Sequence, residues 1–222
     1  SYNDFLGDMT IKEAVARSAN IPAVKVLDMV NLTNSFNYLQ NKFHITTLEE
    51  KDKNYSSLAL GGLTQGVTVE EMAGKYIKPY TYTRVLDSTG QVILENTSST
   101  SQAISPAAAY ITADLLSGVV NSSVGTGKGA KLDCGISTYG KTGTTDDDCD
   151  KWFVGFTPYY VGACWYGFDT PASISAAGVS GNPTVTAWNL VMEKIHKSLN
   201  PKEITKPSNV VEAQVCEYSG ML

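Results

Sequence analysis

The stretch from Gly135 to Tyr160 most constrains what this chain can fold into: Gly-Ile-Ser-Thr-Tyr-Gly-Lys-Thr-Gly-Thr-Thr-Asp-Asp-Asp-Cys-Asp-Lys-Trp-Phe-Val-Gly-Phe-Thr-Pro-Tyr-Tyr. A short β-prone run, Ile136 to Tyr139, leads into Lys141-Thr142-Gly143-Thr144-Thr145. An acidic turn, Asp146 to Asp150, then precedes a second β-prone run, Trp152 to Thr157. Two such runs about a polar connection predict a β-hairpin. Alternation along a strand sends Lys141 and Gly143 to one face, Thr142 and Thr144 to the other. Gly143 lacks a Cβ, so a ligand can lie against the backbone there. An ammonium, two hydroxyls and open backbone N–H groups on one strand suit an extended substrate bearing a carboxylate. Lys-Thr-Gly alone is a common triplet, and an ordinary strand with a solvated lysine fits it equally well. The flanking residues carry the specificity.

A chain of 222 residues makes one large domain or two small ones with a sizeable core. A net charge of −5 and a pI near 5.0 argue against a nucleic-acid partner. Arginine occurs only at Arg17 and Arg84, which leaves few forks for bidentate phosphate recognition. The cysteines, Cys134, Cys149, Cys164 and Cys216, form no C-x-x-C pair, and His44 and His196 lie far apart. That spacing predicts neither zinc nor another cofactor, and four unpaired, mostly buried thiols are the default expectation. No apolar run reaches membrane-span length; the longest, Tyr159 to Phe168, fits a buried strand. The chain opens Ser-Tyr-Asn-Asp without an initiator Met or leader, as a piece of a longer polypeptide would.

Thr10 and Glu13 form a capping box ahead of a helix, which should stop near Ser18-Ala19-Asn20 because Pro22 restrains Ile21. A second helix, Ala23 to Met29, would follow. Ser18 and Asn20 then sit on a bend, where short polar side chains either cap helix ends or point into a cleft. Helices are further expected over Asn34 to Lys42, after Val67-Thr68 from Val69, from Pro106 to Val120, and from Thr184 to Ser198. Leu58 to Thr68 reads as a glycine-broken connection. Tyr80–Val85 and Gln91–Glu95 read as a hairpin about Asp87-Ser88-Thr89-Gly90, and Asn96 to Gln102 as a loop. Gly125-Thr-Gly-Lys-Gly lacks the spacing of a phosphate loop, leaving a glycine-rich turn. Val161 to Phe168 is a third strand. The tail, residues 201–222, should hold a short strand near Val210 to Cys216. The order predicts an α+β fold, an antiparallel sheet covered by helices.

Ser18-Ala19-Asn20 and Lys141-Thr142-Gly143-Thr144 together resemble the S-x-N and K-T-G motifs of penicillin-binding transpeptidases and serine β-lactamases. Longer segments resemble class A penicillin-binding proteins: Lys12-Glu-Ala-Val-Ala-Arg-Ser-Ala-Asn-Ile-Pro-Ala, Leu58-Ala-Leu-Gly-Gly, Gly66-Val-Thr, Val124-Gly-Thr-Gly, Gly140-Lys-Thr-Gly-Thr-Thr-Asp-Asp and Asp150-Lys-Trp-Phe-Val-Gly-Phe-Thr-Pro. They cover most of residues 1–200, which would be the C-terminal portion of a transpeptidase domain, incomplete at its N-terminus. The resemblance implies D,D-transpeptidation of peptidoglycan stem peptides through an acyl-enzyme, with β-lactams acylating the same serine. It implies that Ser18 shuttles the proton to the leaving amine and that Asn20 holds the substrate amide. Lys141 would supply positive potential and support Ser18. The Thr142 and Thr144 hydroxyls would bind the carboxylate, the Thr144 N–H would form half the oxyanion hole, and Gly143 would admit the substrate. It further implies cell-wall synthesis complexes as partners, antibiotic resistance as a context, and a place on the outer face of the bacterial cytoplasmic membrane through an anchor outside this chain.

Two departures stand out. No S-x-x-K occurs in the 222 residues, so the nucleophile is expected upstream of Ser1 and the chain alone is catalytically incomplete. Near Gly74 the chain is shorter than the family pattern by roughly two or three helical turns. Two other readings stay open: a module that senses β-lactams or stem peptides without turnover, and a hydrolase such as a carboxypeptidase or β-lactamase.

Overall fold

A computed structural model describes residues 6–65, 75–77, 81–97, 100–214 and 216. The chain forms two compact units, Ser1–Met29 with Pro106–Leu222, and Val30–Ser105. The helix expected after Val67, the Gly66-Val-Thr segment and the short stretch at Gly74 lie outside the described residues.

In the first unit, α1 (Ile11–Arg17) starts at Thr10, whose hydroxyl accepts from the Glu13 N–H, and α2 spans Asn20–Val30. The break between them falls where expected but has a different cause. Pro22 lies inside the first turn of α2, where its missing N–H costs nothing. Ser18 ends α1 instead, in the left-handed region at φ 56° and ψ 44°. A long helix, α5 (Pro106–Asn121), packs on α1 and on the first strand of a three-stranded antiparallel sheet. That sheet comprises β5 (Tyr139–Thr144), β6 (Asp150–Phe156) and β7 (Val161–Gly167), in the order β5-β6-β7. The expected hairpin forms, with Lys141 opposite Val154 and Gly143 opposite Trp152. Ile136 to Thr138 is not strand: Ile136 and Thr138 are buried in the segment that feeds β5.

The closing helix, α6 (Pro183–His196), covers β6 and β7. Gly155 and Gly162 face each other across those strands. Together they form a notch for Trp188: a Cβ on Gly155 would come within 2.9 Å of its ring, and one on Gly162 within 3.1 Å of its Nε1. Trp188 Nε1 donates to Gly162 O at 3.0 Å. Its ring meets Phe153 edge-on, centroids 5.3 Å apart, a geometry worth about 0.5–1.5 kcal/mol beyond area burial. Val120, Leu132, Ile136, Val185 and Met192 complete this core. Beneath the β6–β7 turn, Thr157 Oγ1 and the buried His196 Nε2 lie 2.8 Å apart, and His196 Nδ1 donates to Met192 O at 2.8 Å.

The second unit contains α3 (Leu32–Asn41) and α4 (Tyr55–Leu60), with a small core of Phe36, Ile45 and Leu48. Two two-stranded sheets accompany them. β1 (Lys75–Ile77) pairs with β4 (Thr100–Gln102), and β2 (Arg84–Leu86) with β3 (Val92–Glu95). The β2–β3 turn is the expected one: Asp87 Oδ1 accepts from the Thr89 and Gln91 N–H groups, and these bonds with the Thr89 hydroxyl hold its carboxyl below the usual range. Asp52, buried, is likewise held low, first by the Thr64 hydroxyl and then by the Glu49 N–H.

Four further expectations are corrected. Thr100–Gln102 is strand rather than loop, and Tyr55–Leu60 is helix. In the tail, residues 210–214 and 216 carry no strand; with Val211 81% exposed, no buried face holds one. The four cysteines form no disulfide with one another; Cys134, Cys149 and Cys164 are half-buried and Cys216 exposed, so they do not sit deep in a core.

Replacing Gly155 by Ala should drive Trp188 out of its notch and destabilise the folded chain by about 1–3 kcal/mol, read as a lower denaturant midpoint. An unchanged midpoint would show that the notch does not set how closely α6 approaches.

Candidate active site

The bend after α1 and the strand β5 meet. Lys141 Nζ donates to Ser18 Oγ at 2.6 Å, across 123 positions of sequence, and to Thr142 O at 3.0 Å. Each partner is held from behind. Small residues let α1 lie close to α5: an added Cβ on Gly118 would touch Ala16 Cβ at 3.6 Å, and Ala14 and Ala16 are buried. Exposed Lys12 and Asp114 pair across the same two helices at 2.9 Å, a contact worth at most about 1 kcal/mol. Ser18 then occupies its left-handed conformation, with Ala19 N–H donating to Ala14 O at 2.9 Å. Such a conformation costs a non-glycine residue roughly 1 kcal/mol, and here it accompanies the serine that meets the lysine.

Lys141 is largely buried, and that burial lowers its ammonium from the ordinary 10.5 to about 8. An amine titrating that close to neutrality, in hydrogen-bond contact with a hydroxyl, can hold or release a proton on demand. Thr142 is half-buried, and its Oγ1 lies 2.7 Å from Thr126 Oγ1. Gly143 faces Trp152, whose Cβ would lie 3.2 Å from an added Cβ, so a neighbouring side chain fills part of the space the glycine leaves. Thr144 is exposed at the end of β5, opposite Lys151. Asn20 is exposed on the first residue of α2. Ser18, Lys141 and Thr142 thus converge, while Asn20 and Thr144 flank them on the same elements.

The acidic connection after β5 is folded back on itself. Asp148 pairs with Lys151 and accepts from Ser175, which in that order hold its carboxyl below the usual range, and its carbonyl accepts from the Ile174 N–H at 2.9 Å. Thr145 and Asp150 close the turn through the Asp150 N–H, 2.9 Å from Thr145 Oγ1. Thr126 is the one contact that residue types had not marked out. The Val124-Gly-Thr-Gly segment carried the signal, but its glycines drew the reading toward a turn.

A family model described as the penicillin binding protein transpeptidase domain matches residues 1–167. The chain belongs to the penicillin-binding protein transpeptidase family. Penicillin-binding protein 1A of Clostridium botulinum is 37% identical over 227 residues, covering 98% of this chain and 27% of its own length. Among solved structures, penicillin-binding protein 1A from Haemophilus influenzae superposes with a TM-score of 0.76 at 18% identity, covering 96% of this chain and 38% of that one. The D,D-transpeptidase domain of a peptidoglycan glycosyltransferase from Eggerthella lenta follows with a TM-score of 0.65 at 21% identity, covering 88% and 55%. At those identities the likeness speaks for the fold alone: mixed helices and antiparallel sheet of the penicillin-binding transpeptidase and β-lactamase type. The chain spans roughly a quarter to a third of the length of the curated relatives it matches.

In this member of the transpeptidase family the titration of Lys141 has a definite sign. Its folded value of about 8 lies below the ordinary 10.5, so between those limits the unfolded chain binds more protons and stability rises with pH. Lys141→Met should lack this rise. Denaturant midpoints of both proteins from about pH 7.5 to 10 should therefore diverge as pH rises. Parallel profiles would mean that the amine is not buried.

Proposed function

We propose that this chain is the C-terminal part of a serine D,D-transpeptidase that cross-links peptidoglycan stem peptides, its acyl-accepting serine lying on a segment that precedes Ser1. The supporting observation is the 2.6 Å contact between Lys141 Nζ and Ser18 Oγ. It joins the two motifs whose chemistry requires them to share one groove.

In this reading the serine oxygen attacks the carbonyl carbon of the penultimate D-Ala. The peptide C–N bond breaks, the departing amine of the terminal D-Ala takes a proton through Ser18, and an ester remains. An amine from a neighbouring stem then attacks that ester, forming the cross-link and returning the serine hydroxyl. Lys141 keeps the site positive for the substrate carboxylate and supports Ser18 in passing the proton. The Thr142 and Thr144 hydroxyls bind that carboxylate, the Thr144 N–H points at the developing oxyanion, and Gly143 lets the donor lie along β5 as an added strand. Asn20 holds the substrate amide. β-Lactams would acylate the same serine. The chemistry belongs on the outer face of the cytoplasmic membrane, among cell-wall synthesis complexes; among the described residues no helix is long and apolar enough to cross a membrane.

The test uses the full-length polypeptide that carries this domain. A fluorescent penicillin should label it, and it should cross-link stem peptides. Ser18→Ala should slow labelling about a hundredfold or more, the usual range for a lost proton-transfer group. Labelling without cross-linking points to a sensor, rapid loss of the label to a hydrolase, and absence of labelling overturns the reading altogether.

A further inference from the structure

We infer that Thr126 is a positioning residue of this site, setting the direction in which the Thr142 hydroxyl gives its proton. The inference rests on the transpeptidase reading and deepens it. Five residues close a circuit around the site. Thr126 N–H donates to Ala16 O at 3.3 Å, and the Thr126 and Thr142 hydroxyls lie 2.7 Å apart. Thr142 adjoins Lys141, whose amine donates to Ser18, and Ser18 stands two residues beyond Ala16. Thr126 is the member that ties the helix bearing the serine to the strand bearing the lysine without using the amine.

The hydroxyl of Thr126 is not what holds its loop. Gly125 N–H donates to Ser122 O at 3.1 Å, Gly127 N–H to Val119 O at 2.9 Å, and Lys128 Nζ to Ser123 O at 3.0 Å. Gly125 lies so close to the end of α5 that an added Cβ would sit 2.3 Å from Val119 O. Backbone bonds and a close approach therefore fix the turn, which leaves the exposed Thr126 hydroxyl free for another use.

That use follows from counting protons. A hydroxyl has one proton to give and lone pairs to accept, whereas a carboxylate only accepts. When Thr142 donates to a substrate carboxylate, its bond with Thr126 must run from Thr126 to Thr142. The two hydroxyls then form a chain in which each bond polarises the next and strengthens the one to the anion. Without ligand either hydroxyl can donate; with ligand a single direction remains. Thr126 does not touch the substrate in this arrangement. It acts through Thr142.

The test compares benzylpenicillin with its methyl ester, which lacks the anion, on the full-length polypeptide. Thr126→Val should slow acylation by benzylpenicillin about five- to tenfold, the effect of one lost hydrogen bond, and change the rate with the ester less than about twofold. Thr126→Ser, which keeps the hydroxyl, should restore the benzylpenicillin rate. Equal slowing with both compounds would mean that Thr126 merely packs the loop, and no slowing with either would mean that it does nothing; each overturns the inference while the wild type is still labelled. A wild type that penicillin does not label overturns the transpeptidase reading, and this inference with it.

Discussion

The site leans on one ring. Phe153 is completely buried on β6, opposite Thr142, and three glycines approach it where they have no side chain of their own. An added Cβ would reach the ring within 3.0 Å from Gly127, 2.5 Å from Gly140 and 2.6 Å from Gly155, and α6 supplies Trp188 edge-on. The loop bearing Thr126, the strand bearing Lys141 and the closing helix therefore share a single wall. Because interiors are close-packed, a shift of that ring is passed to all of them together. Gly127, Gly140, Gly155 and Gly162 are concessions to Phe153 and Trp188: they thin the backbone where aromatic rings need the room.

The same packing explains what residue order could and could not reveal. The β5–β6 hairpin was legible because β-prone runs flank a strongly polar acidic turn, and in β6 Phe153 and Gly155 are the buried residues. The bend at Ser18 was legible in position, yet Pro22 suggested the wrong cause, since a positive φ at serine leaves no mark in composition. Ile136 to Thr138 has strand-like residue types but spends them on burial rather than on ladder bonds. Thr100–Gln102 shows the reverse: Ser and Thr at a locally weak site become strand because Lys75–Ile77 pairs with them from far upstream. In α4 the signals were present. Asn54 accepts from the Ser57 N–H at 2.9 Å and Gly61 ends the helix at φ 81°, but six residues between a cap and a glycine are easily taken for a broken loop.

Lys141 and Thr142 are neighbours on a strand, so their side chains leave opposite faces, and yet Lys141 meets Ser18 while Thr142 meets Thr126, which is bonded to the same helix. An interior strand could not manage this, because its faces are separated by partners on either side. β5 is the outer strand of three, and among the described residues its second edge carries no strand. The Lys141 amine reaches both Ser18 Oγ and its own neighbour's carbonyl at Thr142. Thr126 reaches Thr142 from the other side, while its N–H holds Ala16 on the helix that ends at Ser18. The edge is thus clasped at one point, Thr142, and β5 runs on two further residues to Thr144. Where the clasp ends, the outer edge of Gly143 and Thr144 meets no further strand among the described residues. An open edge is normally a liability for a folded protein. Here Lys141 stands at its root and the uncovered part is brief, which on the proposed transpeptidase reading suits an extended, anionic donor.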